Sequence, residues 1–146
     1  MSHETIHGTC ISIDGKGVLL RGPSGCGKSD LALRLIDRGA KLVADDRVAL
    51  TAEAGALIAS APEILQGLLE IRGIGLVEIE ALPSSPLHLI IDLVEAHQVD
   101  RMPEQASEFV SSIEIPRIAL YSFEASATAK VLMALDVATD KRKLKQ

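Results

Sequence analysis

The stretch that decides the fold is Gly22-Pro23-Ser24-Gly25-Cys26-Gly27-Lys28-Ser29, which matches G-x-x-x-x-G-K-[ST] at every fixed position. Residues 18–21 before it are typical of a strand, and the apolar residues of 31–36 after it recur with a helical period. Glycines at this spacing let successive backbone N–H groups converge on phosphate oxygens, and the start of the helix adds its positive dipole end. The sequence therefore predicts a phosphate-binding loop (residues 22–29), with Lys28 reaching the β- and γ-phosphates of a nucleotide and Ser29 offering its hydroxyl to Mg²⁺.

The segments around this loop predict a single α/β domain over residues 1–146. Alternating or continuous apolar runs predict strands at 5–13, 18–21, 41–44, 48–50, 57–59, 76–79, 87–93 and 113–120. Helices are predicted directly after the phosphate loop, from Pro62 to Leu69, and over residues 125–138. Loops are expected at 70–75 and 83–86, and a basic tail at about 139–146.

Composition excludes several classes of function. The net charge is −5 and aromatic residues make up 2% of the chain, which argues against a nucleic-acid binder built on basic and stacking surfaces. The longest strongly apolar run, 87–94, contains His88 and Asp92, so no membrane span is expected. Cys10 and Cys26 are too few for a disulfide framework, which favours a reduced, cytoplasmic protein.

The absence of one residue type separates the classes of phosphate-loop protein. The chain contains no Asn, so it cannot form the Asn-Lys-x-Asp element with which common GTPases read guanine. It also lacks the Ser-Gly-Gly signature of an ABC-type ATPase. The sequence therefore predicts a nucleotide-binding protein outside these two classes.

The second acidic site that phosphate-loop proteins need has two candidates. Asp92 ends the apolar run 89–91 and matches the usual pattern better, whereas Asp45 and Asp46 follow the short strand 41–44. Adjacent carboxylates on an extended segment point to opposite sides, so one could meet a metal ion and the other could take a proton from an attacking hydroxyl. The alternative is an acidic turn at a strand end, with Arg47 as its neighbour.

Six motifs occur in a fixed order along the chain: His7-Gly8, the phosphate loop, Arg38-Gly39, Leu42-Val43-Ala44-Asp45-Asp46-Arg47-Val48, Ala61-Pro62 and Leu69-Glu70-Ile71-Arg72-Gly73-Ile74-Gly75. In this combination they resemble the catalytic domain of HPr kinase/phosphorylase. The resemblance runs from about residue 5 to about residue 101. Enzymes of this family phosphorylate a serine of HPr, the phosphocarrier of the sugar phosphotransferase system, and many also reverse the reaction. The implied fold resembles the nucleotide-binding domain of phosphoenolpyruvate carboxykinase.

The resemblance also implies roles for single residues on the nucleotide side of the site. Lys28 would bind the β- and γ-phosphates of ATP. Ser29 and Glu70 would hold Mg²⁺, and Asp45 would lie near that metal ion.

On the protein-substrate side, Asp46 would be the catalytic carboxylate, a base toward the serine hydroxyl in the forward reaction and an acid in the reverse. His7 would sit beside the carboxylates, and Arg72 and Arg101 would face the phosphoryl group in transfer. Asp92 falls where the family has no metal ligand, so its predicted role is structural.

The chain also departs from the longer members of this family. Since the resemblance begins at about residue 5, no N-terminal regulatory domain is expected, and the C-terminal helix that reaches a neighbouring subunit in the hexameric members is expected to be short. Residues 121–126 lack the basic residues and glycine of the loop linked to dephosphorylation, so the kinase direction is expected more than the phosphorylase direction. The alternatives are a small-metabolite kinase and a non-catalytic, nucleotide-dependent regulator that binds HPr or a sensor kinase.

Overall fold

The computed structural model describes residues 3–145 and has a mixed, strand-rich α/β architecture with two α-helices. The strands are β1 (His3–His7), β2 (Thr9–Ile13), β3 (Lys16–Arg21), β4 (Lys41–Ala44), β5 (Arg47–Glu53), β6 (Ala56–Ser60), β7 (Leu68–Ile71), β8 (Gly75–Glu78), β9 (Ser84–Leu93), β10 (Ala106–Val110) and β11 (Ile113–Leu120). The helices are α1 (Lys28–Asp37) and α2 (Ala127–Ala138). Among residues 3–145 no helix is long and apolar enough to cross a membrane.

The longest strand, β9, organises the main sheet. The strand order is β1-β5-β6-β9-β3-β2-β4, with β11 beside the second half of β9 and β10 outside β11, while β7 and β8 form a separate hairpin. β3 and β11 both run parallel to β9. The carboxyl ends of these three strands therefore meet at one edge of the sheet, which is where α/β proteins place their ligands.

Both faces of the main sheet are buried. On one face, Leu20 of β3 and Ile91 of β9 pack with Leu31 of α1 and Val131 of α2. The opposite face forms a second core, in which Leu19 packs among residues of β5 and β6 instead of helices. Burial on both faces explains why the central strands read as continuous apolar runs in the sequence.

Several elements lie where the sequence predicts them. The predicted turn at Asp14-Gly15 joins β2 to β3, with φ of 50° and 79°. Such positive φ values at both central residues suit the twist of a tight hairpin. The helix after the phosphate loop, the buried strand through 87–93 and the helix near the C-terminus are also confirmed.

Three local predictions are wrong. Pro62 is followed by a single 3₁₀ turn, Glu63–Leu65, and β7 then begins at Leu68, because Gly67 at φ 73° cannot continue a helix of L-residues. Residues 70 and 71 belong to β7 and not to a loop. Residues 84–86 of the predicted loop 83–86 are the start of β9, because Pro86 accepts the extended conformation and residues 84–86 pair with β6.

The predicted single strand 5–13 is broken at Gly8 into β1 and β2. β1 pairs with β5, whereas β2 pairs with β3 and β4. The chain therefore bends at Gly8, between β1 and β2. This bend lies opposite a second bend, between β4 and β5, and the Gly8 N–H bonds the Asp46 carbonyl there.

The predicted basic tail carries no regular element over residues 139–145, and Gln146 lies outside the described residues. Its beginning is nevertheless held, since Lys141 and Arg142 both pair with Asp136 of α2.

Candidate functional site

The phosphate loop connects the carboxyl end of β3 to the first turn of α1. Two of its glycines are required by close approach of the neighbouring chain. A Cβ on Gly22 (φ 153°) would lie 2.6 Å from Cys26 Sγ and 2.9 Å from the carbonyl oxygen of Leu93. A Cβ on Gly27 (φ 93°) would overlap the hydroxyl of Ser122. The glycines of the loop therefore contact Cys26 of the loop itself, the end of β9 and the segment that follows β11.

The Lys28 ammonium is folded over the loop that precedes it. It donates hydrogen bonds to the carbonyl oxygens of Gly22, at 2.7 Å, and Pro23, at 3.2 Å. The Cys26 N–H bonds the Pro23 carbonyl at 3.1 Å, which closes the turn. The positive charge is thereby held beside the backbone that would surround a phosphate group.

Asp45 links the phosphate loop to the main sheet. Its carboxylate accepts hydrogen bonds from the Ser29 hydroxyl at 3.0 Å, the Thr9 hydroxyl at 2.8 Å and the backbone N–H of Glu70 at 3.2 Å. Asp45 is 8% exposed. Donors to a buried carboxylate compensate its loss of hydration, which explains how this charge lies inside the fold.

Asp46 has the opposite environment. Its side chain is 62% exposed, and its carboxylate accepts a hydrogen bond from His7 Nε2 at 3.1 Å. Its φ is 71°, and the Arg47 N–H bonds the Asp45 carbonyl at 2.8 Å, the i to i+2 pattern of a γ-turn. The tight turn, and not an extended strand, sends the two carboxylates to opposite sides.

Asp45 and Asp46, which we call the acidic bend, are both held by the bend at Gly8. His7 bonds the Asp46 side chain, the Gly8 N–H bonds the Asp46 carbonyl at 3.1 Å, and the next residue, Thr9, bonds Asp45. Residues 7–9 of the bend at Gly8 thus form hydrogen bonds to both residues of the acidic bend.

Of the predicted metal-binding residues, the structure brings Ser29 and Asp45 together directly. Glu70 contributes its backbone N–H to Asp45, and its side chain lies on the exposed face of β7. The residues from 3 to 145 contain no cluster of three or more His, Cys, Asp or Glu side chains arranged for a metal ion. A hydroxyl and a carboxylate are nevertheless the oxygen ligands that Mg²⁺ takes together with substrate phosphates and water. The donor set therefore fits Mg²⁺.

The two predicted arginines are not joined to this centre. Arg72 lies in the turn between β7 and β8, and Arg101 lies in the connection between β9 and β10; both are exposed. Neither makes a hydrogen bond or ion pair with another residue in the described range 3–145. Their roles therefore stay predictions.

Asp92 has a structural role. It pairs with Arg21 of β3 through hydrogen bonds of 2.8 and 3.2 Å, and Arg21 also binds Glu108, at 2.7 and 2.8 Å. Arg117 contacts Glu108 at 3.1 Å. Hydrogen bonding and charge from Arg21 lower the pKa of Glu108, and Glu108 raises that of Arg21. This ion-pair network joins β10 and β11 to the residue immediately before Gly22.

Both cysteines are free. Burial raises the pKa of the Cys10 thiol to about 12, so this thiol stays protonated at neutral pH and packs as an apolar group. Cys26 is partly buried in the phosphate loop.

Sequence reasoning missed two supports of the site. Thr9 reads as an ordinary strand residue, although its hydroxyl binds Asp45. Ser122 follows β11, donates its hydroxyl to the Cys26 carbonyl and accepts a hydrogen bond from Arg34 at its own carbonyl. The position of Ser122 just beyond the carboxyl end of a predicted strand was the available signal.

A glycine-rich loop at a helix start, a lysine folded over it and a carboxylate tied to its serine are features typical of phosphate sites in α/β proteins. The family follows from comparison: the model of the HPr Serine kinase C-terminal domain matches residues 1–146, and the chain belongs to this family.

Individual proteins with names of this family are also similar to the chain in sequence. The chain is 36% identical over 129 residues to a protein from Limosilactobacillus reuteri named HPr kinase/phosphorylase, covering 80% of this chain and 40% of that protein. It is 45% identical over 105 residues to a protein of the same name from Bordetella pertussis, covering 66% of this chain and 34% of that one. The chain thus spans about two fifths or less of these relatives.

A solved structure is also similar. The Hpr(Ser) kinase/phosphatase from Coxiella burnetii superposes with a TM-score of 0.84 at 30% identity, covering 94% of this chain and 97% of that one. The mixed α/β fold with its strand-rich sheet is therefore the fold of an HPr kinase structure.

Proposed function

We propose that this domain is an ATP-dependent protein kinase that phosphorylates a serine of an HPr-like phosphocarrier protein. The observation that carries the proposal is the division between the two carboxylates of the acidic bend. Asp45 is buried against Ser29 of the phosphate loop, whereas Asp46 is open to solvent and bonded to His7. The matching relatives are named HPr kinase/phosphorylase, which supports HPr as the protein substrate.

The nucleotide side of the reaction would use the phosphate loop. The backbone N–H groups of residues 22–29 would surround the phosphates of ATP, and Lys28 would exchange its carbonyl partners for the β- and γ-phosphates. The Ser29 hydroxyl and Asp45, with Glu70 nearby, would hold Mg²⁺. When bound, Mg²⁺ neutralises charge on the phosphate oxygens.

The protein-substrate side would use Asp46. Its carboxylate takes the proton of the serine hydroxyl, while the serine oxygen forms a bond to the γ-phosphorus and the bond from that phosphorus to the bridging β–γ oxygen breaks, releasing ADP. His7 fixes the carboxylate through the 3.1 Å hydrogen bond. Arg72 and Arg101 are the proposed partners of the equatorial phosphoryl oxygens, for which arginine is the suited cation.

The proposal includes finer properties that the family resemblance supports. The fold would be the phosphate-loop type found in the nucleotide-binding domain of phosphoenolpyruvate carboxykinase. The domain would work in the cytoplasm as a homo-oligomer, a hexamer in the family pattern. The kinase direction would dominate, because residues 121–126 carry neither a basic residue nor a glycine.

A transfer assay tests the proposal. The chain is incubated with γ-labelled ATP, Mg²⁺ and HPr, and label is expected on HPr at a serine located by mass spectrometry. HPr with that serine changed to alanine is the matched control and should stay unlabelled. Label only in small molecules would support a metabolite kinase, and binding of HPr or a sensor kinase without transfer would support a non-catalytic regulator; either result contradicts the proposal.

A further inference from the structure

Two of the three aromatic residues in the chain lie in one short segment beside the phosphate loop. The aromatic segment, residues 121–123, follows the carboxyl end of β11 and contains Tyr121 and Phe123, whose ring centroids are 5.7 Å apart in an edge-on arrangement. Phe123 is 55% exposed. More than half of this ring is therefore available for contact at the end of β11.

The position of Phe123 relative to the phosphate loop is defined by contact. The end of its ring lies about 3.0 Å from the site of a Cβ on Gly27, the residue that precedes the first turn of α1. The residue before the ring is held, because the Ser122 hydroxyl donates to the Cys26 carbonyl and Arg34 of α1 donates to the Ser122 carbonyl. The ring is therefore positioned against the end of the phosphate loop.

An open cleft continues from this ring along α1. Its volume is about 330 Å³, and its walls include Phe123, Arg34, Asp37 and Thr128. That volume is in the range of small-ligand sites. The walls offer an aromatic ring, a guanidinium group, a carboxylate and a hydroxyl, which are groups that stack on and hydrogen-bond to a heterocyclic base.

We propose that this cleft is the nucleobase site, in which the purine of the bound nucleotide stacks on Phe123 and lies against Arg34. The inference rests on the proposed function, since it places the base of the nucleotide whose phosphates occupy residues 22–29. The geometry favours it because the Phe123 ring lies against Gly27 of the phosphate loop and also lines the cleft, so the loop and the cleft are adjacent. Arg34 is also held in place, through Asp30 at 3.1 Å and the Ser122 carbonyl.

The test separates the base from the phosphates. Binding of ADP and of inorganic tripolyphosphate, each with Mg²⁺, is measured by calorimetry for the wild type, for Phe123→Leu and for Phe109→Leu. Phe109 is the matched control, since it is the other phenylalanine and is 69% exposed on β10. We expect Phe123→Leu to weaken ADP binding roughly tenfold and tripolyphosphate binding less than about twofold, because a lost stacking contact acts on the base alone.

The same question can be tested by tryptophan fluorescence, because the chain contains no tryptophan of its own. Phe123→Trp introduces a single indole whose fluorescence ADP should quench and tripolyphosphate should leave nearly unchanged. The same substitution at Phe109 should respond to neither ligand. A Phe123→Trp signal that is the same with both ligands, or absent with both, would overturn the inference.

The outcomes also separate this inference from the kinase proposal. If Phe123→Leu weakens both ligands equally, the ring only supports the phosphate loop, and the nucleobase site is wrong while the kinase proposal stands. If ADP binding is unchanged in that variant, the base lies elsewhere. A wild-type chain that binds neither ligand and labels no HPr would contradict both.

Discussion

The phosphate loop and the acidic bend lie side by side, yet they are held in different ways. Within the phosphate loop, the hydrogen bonds that the Lys28 ammonium and the Cys26 N–H donate to carbonyl oxygens reach partners no more than six residues away. In the acidic bend, Asp45 and Asp46 depend on residues from β1, β2, α1 and β7. A local motif therefore builds the phosphate site, whereas the carboxylates that would act on it are placed by the tertiary fold.

The difference extends to exposure. Asp45 is buried and satisfied by neighbouring donors, and Asp46, one residue further along, is open to a partner. The γ-turn at Asp46 lets adjacent residues of the same type occupy such different environments. The following predictions test this division, beginning with the largest expected effect.

Removing the charge of Asp46 should separate chemistry from binding. For Asp46→Asn we expect HPr phosphorylation to fall roughly 10²- to 10⁴-fold, the range of a lost general base. ADP affinity should stay within about twofold, since Asn tolerates the positive φ and Asp46 does not contact the phosphate loop. Turnover in the labelled-ATP assay and calorimetry with ADP measure the two effects.

Asp14→Asn is the matched control for this prediction. Asp14 is also an exposed aspartate at positive φ, 50°, but it lies in the turn between β2 and β3. It should leave turnover unchanged. Full activity of Asp46→Asn would contradict the assignment of the base.

Removing the cation of the phosphate loop should instead affect binding. For Lys28→Ala we expect ADP affinity to fall roughly 10- to 100-fold, the effect of losing charge-assisted hydrogen bonds to phosphate. Lys143→Ala, in the exposed C-terminal segment, serves as the control. Unchanged ADP binding by Lys28→Ala would disprove the phosphate-loop assignment.

Thr9→Val should show that the acidic bend depends on a remote strand. It removes the 2.8 Å hydrogen bond to Asp45 while keeping the side-chain shape, so we expect the free energy of unfolding to drop by about 1–2 kcal/mol. Urea denaturation measures the change, with Thr5→Val on the exposed face of β1 as the control. Equal stability of wild type and Thr9→Val would show that Ser29 and Glu70 satisfy Asp45 without Thr9.

The ion-pair network should give the smallest effect and a defined pH dependence. Because Arg21 lowers the pKa of Glu108 below its ordinary 4.5, ionised Glu108 stabilises the fold above that pH, and the contribution is lost as pH falls through the lower, folded-state value. We expect Glu108→Gln to be less stable than wild type by about 1 kcal/mol or less near pH 7.

That stability difference should shrink toward pH 3, where the wild-type carboxyl is also neutral. Denaturation midpoints across the pH range measure it, with Glu104→Gln, an exposed residue of the connection before β10, as the control. A difference that does not change with pH would mean that packing, and not charge, explains the effect.

Much of the fold could be predicted because local patterns coincide with the native elements. The turn at Asp14-Gly15, α1 and the buried part of β9 follow from turn chemistry and apolar periodicity. The wrong predictions lie where long-range pairing overrides local signals. β9 starts before Pro86 because β6 pairs with it there, and β7 replaces a predicted helix because it pairs with β8.

The sequence by itself determined the phosphate loop, from the strand before it to the helix after it, because glycine spacing and a helix start act over a few residues. The motifs of the sequence also indicated the family and, through it, Asp45, Asp46 and His7 as candidate site residues. Only the tertiary structure decided which carboxylate is buried, that Thr9 and Ser122 support the site, and that Phe123 stands at an open cleft. Those outcomes depend on contacts between residues far apart in the chain, for which a single sequence carries no local signal.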